Sequence, residues 1–139
     1  MSGRPRAERL LEAVRALGPL AEDPAVQQGL ARAEIHARSA ESLLIQAVDE
    51  MWQTVRRGKP PTLEQRAQVR MGCVNAGVGA AAAVDIVWGL AGAGAIFEAA
   101  GIERRFRDVH VATQHVALAP RTLEVAGRVL LGLEPQGLF

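Results

Sequence analysis

Apolar residues recur at every third or fourth position between Pro24 and Gly58, and this long spacing is the feature that most constrains the fold. Asp23 is a candidate N-cap, Pro24 suits the first helical position, and the Gly-Lys-Pro-Pro sequence at 58–61 ends the pattern. The spacing predicts one helix that runs to about Arg57 and is apolar along one face. That face consists of Val26, Leu30, Ala33, Ala37, Ala40, Leu44, Ala47, Met51 and Val55.

The rest of the chain also has helical patterns. A short first helix is predicted over residues 5–17, before the Gly-Pro pair at 18–19. A T-x-x-Q capping box at Thr62 and Gln65 starts a third helix that we expect to reach Glu98. Two more helices are predicted after it, from Ile102 to Leu118 and from Pro120 to about Leu131.

Five helices joined by short connections predict an all-α fold, an antiparallel four-helix bundle with one additional short helix. We expect a single folded unit in which residues 1–19 are a short docking helix and residues 20–139 are the helical-bundle domain. The composition agrees with this prediction, because 49% of the residues are hydrophobic and these are mainly Ala, Leu and Val. Ala and Leu lead the helix-propensity ranking.

Charge and cysteine usage limit the classes of partner. Sixteen basic and fifteen acidic residues give a net charge of +1, so no global field attracts nucleic acid or an anionic membrane surface. The single cysteine, Cys73, excludes an internal disulfide framework. We therefore expect a soluble cytoplasmic protein that binds neither nucleic acid nor membrane.

The apolar stretch from Cys73 to Phe97 is long enough to raise the question of a membrane span, which needs about 20 apolar residues. Asp85 lies at its centre and would be costly in a bilayer, so a buried helix of a soluble protein is favoured. We expect Asp85 to be buried and paired with a basic or amide side chain of a neighbouring helix. The stretch and the residues just before it are rich in glycine. This indicates close approach of another helix or of a ligand, and helix packing is favoured. The glycines are Gly72, Gly77, Gly79, Gly89, Gly92 and Gly94.

Two histidines, His110 and His115, are the candidate chemical groups of the fourth helix. They are five residues apart, which rotates them by roughly 140° on a helix, so they cannot form an i,i+4 metal pair, and no metal is expected. Apolar residues lie on two sides of this helix, which predicts a central position in the bundle. A histidine there is more often a packing residue than a catalyst, although imidazole is well suited to move a proton at neutral pH.

Arginines cluster around the same region, at Arg104, Arg105, Arg107, Arg121 and Arg128. An arginine fork can bind the phosphate of a cofactor. Salt bridges to nearby acidic residues explain the cluster equally well, and the candidates are Glu98, Glu103, Asp108 and Glu124. The glycines do not form a P-loop or a dinucleotide-binding fingerprint.

Residues 90–118, LAGAGAIFEAAGIERRFRDVHVATQHVAL, resemble the C-terminal helical domain of the acyl-CoA dehydrogenase superfamily. The nearest branch is the two-component flavin-dependent monooxygenases, which hydroxylate phenols and other aromatics or oxidise heteroatoms. The resemblance depends on a small-residue turn at 92–97, on an Ile-x-Arg-x-x-Arg-Asp segment ending at Asp108, and on His115. It extends over residues 20 to 132.

The resemblance implies roles for individual residues. His115 would lie beside the isoalloxazine and hydrogen-bond the substrate hydroxyl or the oxygen carried by the flavin, with His110 as a second catalytic candidate. FMN or FAD would be held, often across a subunit boundary, by Gly92, Ala93, Gly94 and Arg107. The resemblance further implies a homo-oligomer, dimeric or tetrameric, and a flavin reductase as a partner.

Three functions remain open, because the family's full enzymes also have an N-terminal helical domain and a β-domain that line the pocket. The chain is a fragment of a flavin-dependent monooxygenase or dehydrogenase, or a subunit that works with separately encoded domains. Alternatively, it is a stand-alone bundle that binds a small aromatic ligand without flavin, with His115 as acid or base. The third possibility is an oligomerisation module without catalytic activity.

Overall fold

The computed structural model describes residues 18–93 and 101–137. Its α-helices are α1 (Pro24–Arg56), α2 (Leu63–Ala91), α3 (Ile102–Thr113) and α4 (Pro120–Leu130), and two 3-10 helices cover Gly18–Glu22 and Val116–Leu118. The all-α prediction is confirmed, and the described ranges contain no strand. The predicted first helix over 5–17, and with it most of the docking segment 1–19, lies outside the described residues.

Helix α1 begins as its sequence predicts. An Asp23 carboxylate oxygen accepts a hydrogen bond from the Ala25 amide at 2.8 Å, and Pro24 occupies the first turn. The helix ends one residue before the predicted Arg57, and Gly58 follows with a φ of 72°, a conformation that favours glycine. The buried positions repeat every seven residues and are mostly small: Val26, Ala33, Ala40 and Ala47.

Helix α2 begins with the predicted capping box. The Gln65 amide donates to the Thr62 hydroxyl at 3.2 Å, and the Gln65 side-chain oxygen accepts from the Thr62 amide at 3.1 Å. Its far end differs from the prediction, since α2 ends at Ala91, and the predicted end at Glu98 lies outside the described residues. Gly92 has a φ of 53° and a ψ of −139°, which no helix can accommodate.

Helix α2 is the central element, and α1, α3 and α4 all pack against it. A β-carbon placed on Gly79 would lie 2.8 Å from the Ala40 β-carbon, and one on Gly72 would lie 3.0 Å from the Leu44 α-carbon. The missing side chains therefore let the α1 and α2 backbones approach closely, as the helix-packing interpretation of the glycines predicts. A β-carbon on Gly89 would meet no other atom within 4 Å, so this explanation does not extend to that position.

Helix α3 is peripheral, and the prediction that it lies at the centre of the bundle is wrong. None of its residues is buried, and Val111 is 67% exposed. The small residues of α2 allow neighbours on several sides, and this places α2 at the centre. Helix α4 is amphipathic and packs Ala126 and Val129 against Ala67 and Met71 of α2.

The core consists mainly of small residues, whereas many large apolar side chains lie on the surface. No large side chain in the described ranges is fully buried, and Ile45 and Trp52 of α1 are 62% and 57% exposed. Among the described residues, only α2 is long and apolar enough to cross a membrane by length and composition. Gly72 and Gly79 pack this helix against α1, but only 11% of its apolar window is buried, so the prediction of a buried helix is wrong for the described part of the stretch.

Candidate functional site

His115 lies in a turn after α3 and not on the helix, which ends at Thr113 and not at the predicted Leu118. The Thr113 hydroxyl donates to the His110 carbonyl at 2.7 Å, and His115 itself has the extended dihedrals φ −67° and ψ 138°. Ala119 is also extended because it precedes Pro120. The helix therefore breaks between α3 and α4, and His115 becomes the N-cap of the 3-10 helix.

The cap determines which nitrogen of the His115 ring is available to a ligand. Nδ1 accepts a hydrogen bond from the Ala117 amide at 3.2 Å. In the neutral ring the proton then lies on Nε2, because a nitrogen that accepts cannot also carry the hydrogen. Since His115 is exposed, its Nε2–H group can donate to a bound oxygen atom.

His110 pairs with Asp85 of α2. The His110 Nε2 atom lies 2.8 Å from the Asp85 Oδ1 atom, and the two side chains are 40% and 50% exposed. The predicted pairing of Asp85 with a side chain of a neighbouring helix is confirmed, with a histidine as the partner. The predicted burial of Asp85 is wrong, because α3 lies at the surface of α2 and leaves the pair at the edge of the contact.

An aromatic stack that was not predicted from the sequence extends this pair. The Phe106 ring lies 4.7 Å from the Trp88 ring and 4.5 Å from the His110 ring, measured between centroids. Phe106 and His110 are four residues apart on α3, and Asp85 and Trp88 are three apart on α2. These spacings were visible in the sequence, but the pairing of α2 with α3 was not.

The arginines at the start of α3 line an open depression. Arg107 pairs with Glu103 at 3.3 Å, and Arg104 pairs with Asp108 at 3.6 Å, so the salt-bridge interpretation holds for both. Gly101, Glu103, Arg104 and Arg107 line the depression. Gly101 is the N-cap of α3 and makes no side-chain cap hydrogen bond, and the first amides of a helix are groups that can bind an anion.

The predicted flavin-binding residues lie at different places along the site. Gly92 and Ala93 are exposed at the end of α2, whereas Gly94 lies outside the described residues. Helix α3 is about 18 Å long for its twelve residues, the depression lies along its first half, and His115 follows its C-terminal end. A single small ligand cannot contact both, so only an elongated ligand can use the two ends together.

The donors along α3 fit a phosphorylated flavin. Two guanidinium groups and a helix N-terminus suit a phosphate, and the exposed Nε2–H of His115 suits a ring or substrate oxygen. Within residues 18–93 and 101–137, no three His, Cys, Asp or Glu side chains come close enough to hold a metal ion. The arrangement can therefore orient an anionic aromatic molecule and donate a hydrogen bond to it.

The chain is similar in sequence to known monooxygenases and hydroxylases. The chain is 32% identical over 116 residues to an indole-3-acetate monooxygenase of Acinetobacter baumannii. It is 34% identical over 117 residues to a pigment production hydroxylase of Rhodococcus erythropolis. In each case the match covers 84% of this chain and 30% of the relative, so the chain spans less than a third of the length of these proteins.

A solved structure and a family model give the same result. The crystal structure of the HsaA monooxygenase from M. tuberculosis superimposes with a TM-score of 0.83 and 28% identity, over 94% of this chain and 34% of that one. The model of the acyl-CoA dehydrogenase C-terminal domain matches residues 6–120. The chain therefore belongs to the acyl-CoA dehydrogenase C-terminal domain family, and its relatives include monooxygenases.

Proposed function

We propose that the chain is the C-terminal helical domain of a flavin-dependent monooxygenase, and that it contributes one wall of a site in which an aromatic substrate is oxidised. The observation that carries this proposal is the structural match to a monooxygenase over 94% of the chain. The donors along α3 support it, because they suit the two ends of a flavin nucleotide. The rest of the pocket would come from separately encoded or adjoining domains.

Each residue has a defined task in this proposal. A reduced flavin delivered by a reductase would supply the electrons for the activation of dioxygen. Arg104 and Arg107 would hold its phosphate at the start of α3. The Nε2–H group of His115 donates to an oxygen of the substrate or of the flavin, and its ring moves a proton there when the charge on that oxygen changes.

Flavin titration of the purified chain tests this proposal. We expect saturable binding of FMN or FAD, weakened about tenfold by Arg107→Ala and about fivefold by His115→Ala, since a lost charged contact costs more than a neutral one. Arg38→Ala is the matched control, because Arg38 also pairs with a glutamate one turn earlier but lies on α1. Equal binding by all three variants, or none by the parent chain, contradicts the proposal.

A second candidate function, an oligomerisation module, is favoured by the surface of α1. Its exposed apolar residues repeat with heptad spacing and form a seam of Ile45, Val48, Trp52 and Val55. Their exposed fractions lie between 41% and 62%, although the core contains mostly alanine. This seam suits a second copy of the chain, as a dimer or tetramer in the cytoplasm, and is compatible with a flavin site on α3.

A further inference from the structure

We infer that Asp85 and Gly77 of α2 form two anchors that hold the turn carrying His115, and that Asp85 and His110 are positioning residues for His115. This inference deepens the proposed function and depends on it for the role of His115 toward flavin. The positions of the anchors themselves do not depend on it.

The first anchor lies before His115 in the chain. It combines the 2.8 Å contact between Asp85 Oδ1 and His110 Nε2 with the stack of Phe106 on Trp88. Nε2 of His110 therefore helps to hold α3 on α2, and its ring also contacts Phe106 of the same helix. The Nε2 atom of His110 is occupied by its contact with Asp85. In His115 the cap uses Nδ1, and Nε2 takes no part in it.

The second anchor lies after His115. A β-carbon on Gly77 would lie 2.5 Å from a methyl carbon of Leu118, so the leucine occupies the space that a side chain at position 77 would need. Leu118 ends the 3-10 helix that His115 caps. The missing β-carbon thus lets this short helix sit directly on α2.

The two anchors match in register. Asp85 pairs with His110 and Gly77 faces Leu118, so the two contacts are eight positions apart on both segments, which run antiparallel. Eight positions of α2 span about 12 Å of rigid helix. His115 lies between the two contact points, and its backbone leaves the helical conformation there. The break between α3 and α4 is therefore held at a fixed place on α2, and the direction of His115 follows from it.

The decisive variant is Asp85→Leu, which removes the acceptor for His110 at a half-exposed position, where we expect the chain still to fold. The Ala117 amide donates a hydrogen bond to His115 Nδ1. In Asp85→Leu we expect the hydrogen of this amide to exchange with solvent at least about fivefold faster than in the parent chain. Nitrogen NMR of the imidazoles should show the His115 ring passing from the Nε2–H form to a mixture of both forms. Asp85→Asn, which keeps an oxygen acceptor, should restore most of the parent signature.

Two controls separate positioning from a general loss of stability. Glu34→Gln removes an exposed ion pair within α1 and should leave the His115 signature unchanged. Gln65→Ala weakens the opposite end of α2 and should lower stability without changing the tautomer of His115. If Asp85 only stabilised the fold, Gln65→Ala and Asp85→Leu would change the His115 tautomer and the Ala117 exchange rate to the same extent. This result would overturn the inference.

Flavin titration of the same variants distinguishes the two proposals. A changed His115 signature with about fivefold weaker flavin binding in Asp85→Leu supports both of them. A changed signature in a chain that binds no flavin supports the anchors and contradicts the proposed function. An unchanged exchange rate and tautomer in Asp85→Leu overturns the anchors, whatever the flavin affinity.

Discussion

The carbonyl oxygen of His36 lies 3.0 Å from the position that a β-carbon on Gly79 would occupy. The backbone of α1 thus fills the space beside Gly79 of α2, at the centre of the main helix contact. The same hypothetical β-carbon would lie 2.8 Å from the β-carbon of Ala40. Because a backbone and a short side chain cannot rotate away, any side chain at position 79 must separate the helices.

Gly79→Ala should therefore lower the free energy of unfolding by about 1–3 kcal/mol, the usual cost of overpacking. Gly89→Ala is the matched control, since it lies on the same helix and its β-carbon would meet no other atom within 4 Å. That control should raise the free energy of unfolding by up to about 1 kcal/mol through helix propensity. Urea denaturation of both variants measures the difference, and equal effects of the two would contradict the packing explanation.

Gln65 connects the ends of α1 and α2 through its side chain. It accepts from the Thr62 amide and donates to the Thr54 hydroxyl at 2.7 Å and to the Glu50 carbonyl at 3.3 Å. Gln65→Ala should cost about 1–3 kcal/mol, because it removes a cap and leaves polar groups without their partner.

Gln68→Ala is the control for this prediction, since it removes the same amide from the next turn of α2. We expect its free energy of unfolding to stay within about 0.5 kcal/mol of the parent chain. The role of Gln65 is disproved when thermal melts or urea curves show the two variants to be equally stable.

Glu64 makes stability depend on pH in the acidic range. Hydrogen bonds from its own backbone amide and from the Thr62 hydroxyl hold the pKa of the Glu64 carboxyl below its usual value. Because the folded pKa is lower than the unfolded one, this contribution is fully present above the unfolded value, about 4.3, and is lost as the pH falls through the folded pKa.

Glu64→Gln should therefore make the loss of stability between about pH 5 and pH 3 less steep than in the parent chain. Urea midpoints measured at several pH values across this range give the slope. Parallel pH profiles for the two proteins would mean that the carboxyl has the same pKa in the folded and unfolded chains.

Trp52 tests the apolar seam of α1. Trp52→Glu places a charge within the seam and should weaken self-association at least tenfold, as expected for an aromatic residue at an interface. Ile35→Glu is the control, because Ile35 is 65% exposed on the same helix but lies outside the seam. Light scattering over a concentration series gives the molar mass, and the seam is not the interface when both variants associate as the parent chain does.

The sequence predicted the features that local chemistry determines. The N-cap at Asp23, the capping box at Thr62 and the start of α4 at Pro120 each depend on neighbouring residues only, and all three are present. The glycine pattern predicted close helix packing, which Gly72 and Gly79 show. Local rules also gave the all-α class, whereas the family was identified by the resemblance of residues 90–118 to a known domain.

Other features depend on how the helices pack and could not be predicted from the sequence. Asp85 lies at the edge of the α2–α3 contact, so its exposure follows from the position of α3. The residues around His115 have helical spacing, so a continuous helix was predicted there. In the structure the helix is broken at this place, where the His115 ring caps the Ala117 amide and Leu118 contacts Gly77. The stack of Trp88 on Phe106 likewise required the pairing of the two helices.

The measurement that tests the central claim most directly is amide NMR of the labelled chain during addition of FMN. We expect the largest changes along α3, at Glu103 to Arg107 and again at His115 to Ala117, and we expect them to saturate together. Changes confined to α1 or spread evenly over the chain, or no saturable change at all, would contradict a flavin site on α3.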